Sequence, residues 1–73
     1  MLIKFTNTAW LNAEPQDILR IDIDVHHLEN LSDAVYYVEV TFIGGQRESS
    51  GFFKTFEEAR ICAENFARAL MEE

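Results

Sequence analysis

Cysteine and positive charge are both scarce in this chain of 73 residues. A single cysteine, Cys62, excludes an intramolecular disulfide. One Cys and two His, the latter adjacent at His26 and His27, cannot assemble a zinc set. Six Lys and Arg stand against thirteen Asp and Glu, a formal net charge of −7. A field of that sign repels phosphate backbones and anionic membranes and attracts basic surfaces. No apolar run approaches the roughly 18 residues of a membrane-spanning helix. Lys4 interrupts the opening Met1-Leu2-Ile3 and no hydrophobic region follows it, so no signal peptide is expected. These absences lead to the expectation of a cytoplasmic protein without membrane contact.

Catalytic machinery is missing too. Gly44-Gly45 leads into a strand, whereas phosphate cradles open a helix. Ser49 and Ser50 sit within a strand pattern rather than at a strand-to-helix elbow. Asp22 and Asp24 share a strand face, but acid–base work needs one carboxylate in an apolar pocket, and nothing in the pattern builds one. Asp24 and His26 offer two metal ligands, too few for a dedicated site. Cys62 falls on an apolar helix stripe, where a thiol behaves as a small hydrophobe. A non-enzymatic protein without metal or cofactor is expected.

What is present is a folding pattern. The length suits one domain over residues 1–73, which at this size buries only about 60% of the surface of the unfolded chain. Six Phe supply much of the core. Residues 2–6 form a short apolar strand with Ile3 and Phe5 on one face. Residues 7–17 read as a loop in which Trp10 plugs the core edge. From 18 to 28, Leu19, Ile21, Ile23 and Val25 alternate with Arg20, Asp22, Asp24 and His26, as in a half-buried strand. A polar connection with Asn30 and Ser32 follows over residues 29–33. The strand at 35–43 sets Tyr36, Val38, Val40 and Phe42 against Tyr37, Glu39 and Thr41.

Gly44-Gly45 predicts a two-residue hairpin turn with positive φ at both positions. Its register pairs Ile43 with Gln46, Val40 with Ser49, Val38 with Gly51 and Tyr36 with Phe53. Small residues at Ser49 and Gly51 would then make room for a helix. That helix is announced by Thr55-Phe56-Glu57-Glu58, a capping box in which the Thr55 hydroxyl accepts from the Glu58 amide and the Glu58 carboxylate accepts from the Thr55 amide. Phe56, Ala59, Cys62, Ala63, Phe66, Ala67 and Leu70 then recur at helical spacing, leaving Ile61 on the outward face. The expected fold class is α+β, a small two-layer sandwich. A four-stranded antiparallel sheet in the order β-β-β-β-α carries one C-terminal helix on one face.

The other sheet face is left open. On it Tyr37 and Phe52 should lie opposite each other, rimmed by Asp22, Asp24, Glu39 and Glu48. An apolar centre inside a charged rim has the anatomy of an interface. These six residues are the candidate partner-binding set. The expected partner is a protein with a basic surface, and self-pairing of the open face into a homodimer is the structural alternative.

Two resemblances bear on function. Residues 37–45, Tyr-Val-Glu-Val-Thr-Phe-Ile-Gly-Gly, followed by residues 51–59, Gly-Phe-Phe-Lys-Thr-Phe-Glu-Glu-Ala, resemble the strand-strand-helix unit of integrase arm-type and plant AP2-type DNA-binding domains. The resemblance covers about half the chain and implies that the outward sheet residues would read a major groove. In those families these are Arg and Lys; here the positions are Tyr37, Glu39, Thr41, Gln46, Glu48 and Ser50, with Arg47 inward or at the edge. Without those cations the phosphate term that dominates DNA affinity is missing, so nucleic acid is a disfavoured partner. In size and acidity the chain resembles phage-borne inhibitors such as anti-CRISPR proteins. The expected function is therefore that of a small acidic inhibitor or adaptor, set on a Lys/Arg-rich groove of a nucleic-acid-handling protein.

Overall fold

The computed structural model describes residues 1–28 and 34–72; the connection expected over 29–33 lies outside the described residues. In chain order the elements are β1 (Leu2–Lys4), β2 (Trp10–Asn12), a 3₁₀ turn (Pro15–Asp17), β3 (Ile18–His27), β4 (Ala34–Phe42), β5 (Arg47–Ser49) and α1 (Phe56–Met71). The α+β class and the C-terminal helix packed on a sheet match the expectation. The single four-stranded sheet does not. There are two antiparallel sheets, a β1–β2 hairpin and a three-stranded sheet in the order β3-β4-β5.

Part of the expected loop thus forms a strand, with Ile3 opposite Leu11 and Lys4 opposite Trp10. Alternation turns Ile3 into the core and Trp10 outward, where it is 55% exposed. Trp10 therefore plugs nothing. The hairpin enters the molecule on the helix side: Ile3, Phe5 and Ala13 join Val38, Val40, Ala59, Phe66 and Leu70 in one core. The Phe5 and Phe66 rings meet at 5.3 Å.

Helix α1 begins where the cap places it. The Glu58 amide donates to the Thr55 hydroxyl at 3.2 Å. Only half of the capping box forms, because the Glu58 carboxylate accepts from the Thr55 hydroxyl at 3.1 Å instead of from the Thr55 amide. Ala59, Phe66 and Leu70 are buried, with Cys62 and Ala63 packed beside them. Ile61 is exposed, as its position outside the stripe requires. On the outward side Arg60 hydrogen-bonds Glu57 and Glu64, neighbours about one turn before and one turn after it that helical geometry brings together. The Arg60 hydrogen bond and charge hold the Glu57 carboxyl below its usual range. Among the described residues, no helix is long and apolar enough to cross a membrane.

In β3 the alternation slips once. The register shifts between Ile18 and Arg20, so Ile18 lies opposite Phe42 and Arg20 opposite Thr41. The residue between them, Leu19, is pushed out and is 62% exposed, while Ile18 packs against the core in the place expected of Leu19. Beyond the slip, Ile21 and Ile23 face the buried Val40 and Val38, and Asp22, Asp24 and His26 face the other way.

A second slip lies in the β4–β5 hairpin. The Phe42 amide donates to the Gln46 carbonyl and the Gly45 amide to the Phe42 carbonyl, both at 2.8 Å. The loop therefore holds three residues, and only Gly45 has positive φ, at +91°. This is the connection in which a left-handed residue follows a tight turn. The strands are displaced by one position from the expected register: Val40 lies opposite Glu48 and Glu39 opposite Ser49. Ser49 and Gly51 thus make no room for the helix.

Candidate protein-interaction surface

The displacement is undone at Ser50. Ser50 pairs with Val38 through its amide at 2.9 Å, yet three residues later Phe53 pairs with Tyr36 as the undisplaced register demands. One extra residue is accommodated between them as a bulge. Its cost is the carbonyl that should have received the Val38 amide. The Ser50 side chain replaces it, accepting from Val38 N at 2.8 Å while donating to the Gly51 carbonyl at 2.8 Å. Without the bulge, Gly51 would oppose Tyr37. With it, Phe52 does, and the two rings meet edge to face at 5.8 Å. Bulges commonly re-aim a side chain in this way.

Phe52 also gains a partner that alternation alone does not reveal. His26 stacks on it, with centroids 5.7 Å apart and planes 26° from parallel. Three rings, from β3, β4 and the stretch after β5, form one cluster, and Phe52 remains 65% exposed. Contacts of this kind each add about 0.5–1.5 kcal/mol beyond the area they bury. They hold the cluster without hiding it.

Beside the rings the open face is banded. The first band, Arg20–Thr41–Arg47, crosses all three strands. Next come Asp22, Glu39 and Ser49, then Asp24 beside Tyr37, and last His26 beside Val35. Arg47, expected inward or at the edge, lies on this face because of the hairpin displacement. Arg20 pairs with Asp22 at 2.9 Å, and Arg47 reaches Glu39 at 3.8 Å. Asp24 has no cationic partner among the described residues. Thr41, between the two arginines, is buried, and its hydroxyl has no hydrogen-bond partner among the described residues.

Of the six candidate residues, Asp22, Asp24, Tyr37, Glu39 and Phe52 share this face. Glu48 does not. The hairpin displacement puts it opposite Val40, where it lines a separate hollow of about 490 Å³ with Leu11, Asn12 and Gly44. A smaller hollow of about 270 Å³ lies on the open face itself, between His26, Tyr37, Glu39, Ser49, Ser50 and Phe52. His26 and the two serines are absent from the candidate set. Parity puts His26 on the correct face, but only the bulge carries Phe52 to it.

Among the described residues, no three His, Cys, Asp or Glu side chains gather closely enough to hold a metal ion. Cys62 is half-buried, its Sγ 3.1 Å from the Phe5 carbonyl oxygen, and burial pushes its thiol pKa up. That is the reverse of what a nucleophilic thiolate needs. No protein-family model, no curated protein and no solved structure matches this chain.

Proposed function

We propose that this chain is a small non-enzymatic interaction module that docks on a basic protein surface through the open face of its three-stranded sheet. It would serve as an inhibitor or adaptor of the kind that occupies a Lys/Arg-rich groove of a nucleic-acid-handling protein. The observation that carries this reading is the ring cluster of exposed Phe52 and His26 with half-buried Tyr37, set against Asp24, Asp22 and Glu39. Aromatic anchors bring binding energy at small entropic cost, and the carboxylates bring steering and register.

The competing readings fit the face less well. Its two arginines stand beside Asp22 and Glu39, at 2.9 and 3.8 Å, and three carboxylates outnumber them, so a DNA backbone would meet net repulsion. A two-fold dimer formed by stacking two such faces meets a similar obstacle. The face carries Asp22, Asp24 and Glu39 against Arg20 and Arg47, so two copies stacked on each other meet with an excess of negative charge on both sides. A basic partner balances that excess, which self-pairing does not.

The test uses oligolysine as a minimal basic surface. Wild-type protein should bind it at about 50 mM salt and lose most of that affinity by about 300 mM, where screening shortens the reach of the carboxylates. Asp24→Lys, at the carboxylate without a cationic partner among the described residues, should weaken binding roughly tenfold at low salt and far less at high salt. An equal loss at both ionic strengths would refute a steering role for this face.

A further inference from the structure

Resting on the reading of the open face given above, we infer that the hollow between Tyr37, Phe52, His26 and Glu39 is the seat of one arginine side chain of the partner. It is lined by the three rings together with Glu39, Ser49 and Ser50. Rings present a negative face to a cation, and a guanidinium is planar enough to lie on one while it hydrogen-bonds in its own plane. Glu39 is available for those bonds, since its counter-ion Arg47 stands at 3.8 Å, beyond hydrogen-bonding distance. The Ser49 side chain makes no hydrogen bond among the described residues and can accept another. The Ser50 hydroxyl is committed to Val38 and Gly51 and serves only to hold the wall in place.

Other occupants fit the chemistry worse. An anionic group would face Glu39 and Asp24. An apolar or aromatic side chain would cover Glu39 without replacing its water, which leaves a charge desolvated and poorly paired. A lysine satisfies the carboxylate, but its compact, strongly hydrated ammonium stacks poorly on rings.

The experiment compares oligoarginine with oligolysine of equal length, using the whole chain. Oligoarginine should bind wild-type protein roughly tenfold more tightly. Phe52→Leu keeps the apolar bulk and removes the ring. Because Phe52 is largely exposed, its fold should survive, as a thermal melt would verify. This variant should lose the arginine preference, its affinity for oligoarginine falling much further than its affinity for oligolysine. Glu39→Gln should weaken both ligands, oligoarginine the more. Equal affinities in the wild type, or an arginine preference that persists in Phe52→Leu, would overturn the arginine seat while leaving the basic-partner reading in place. Failure of both oligomers to bind would overturn the two together.

Discussion

Replacing Ser50 with Ala tests the feature on which the whole face depends. The substitution removes one oxygen, which accepts from Val38 N and donates to the Gly51 carbonyl. Val38 is fully buried, so its amide has no water to turn to when that oxygen is lost. An unsatisfied buried donor costs about 1–3 kcal/mol. A chain of this size holds about 4–11 kcal/mol of total stability, so the loss is a sizeable fraction. Taking about 1.5 kcal/mol, the melting temperature should fall by roughly 6–12 °C. Ser49→Ala, one residue away at an exposed site without a side-chain hydrogen bond among the described residues, is the control and should stay within about 0.5 kcal/mol. Circular dichroism melts and urea titrations of the three proteins decide the matter. Should Ser50→Ala melt with Ser49→Ala, the hydroxyl does not hold the bulge, and the placement of Phe52 needs another cause.

Thr41→Val keeps the shape of a buried side chain and removes a hydroxyl without a partner among the described residues, so its urea midpoint should stay or rise. A loss above about 1 kcal/mol would mean that the hydroxyl is satisfied after all. Cys62 should react with a disulfide reagent at pH 8 much more slowly in the folded chain than in urea, because burial favours the thiol over the thiolate. By the same linkage the folded state holds the thiol proton to higher pH than the unfolded chain, so this contribution to stability is full below the ordinary thiol range and falls as pH rises through it. Equal reaction rates in folded and unfolded protein would contradict the burial. Trp10, the only tryptophan, should emit at the wavelength of solvated indole and be readily quenched by acrylamide; blue-shifted, protected emission would place it inside.

The parts of the fold that rest on local chemistry were legible from the residues. Thr55 and Glu58 mark the helix start, and the spacing of Ala59, Phe66 and Leu70 marks its buried side, because capping and amphipathicity act within a few residues. The alternation of β3 and β4 showed which carboxylates share the open face. Strand β2 was hidden because Trp10-Leu11-Asn12 is too short to alternate visibly and exists through its pairing with β1. The exposure of Trp10 follows from that pairing. Nothing local marks the slip at Leu19. The two glycines at 44 and 45 satisfy both a two-residue and a three-residue loop, and the choice between them moves Glu48 off the open face and Arg47 onto it. The Tyr37–Phe52 pair was legible for an instructive reason: the hairpin displaces the strand by one residue and the Ser50 bulge restores it, so the simple register gives the same neighbour. His26 was on the correct face, but its stack on Phe52 depends on tertiary packing.

The most direct test of the central claim is an amide chemical-shift map of the isotope-labelled chain titrated with oligolysine at low salt. The account predicts that shifts concentrate at Asp24, His26, Tyr37, Glu39, Ser49 and Phe52. The outward helix residues Glu57, Ile61 and Glu64 should stay unmoved, since Arg60 already pairs with both glutamates and Ile61 offers no charge. Perturbations centred on the helix, or on Leu2 and Trp10 of the hairpin, would contradict the open sheet face as the binding surface.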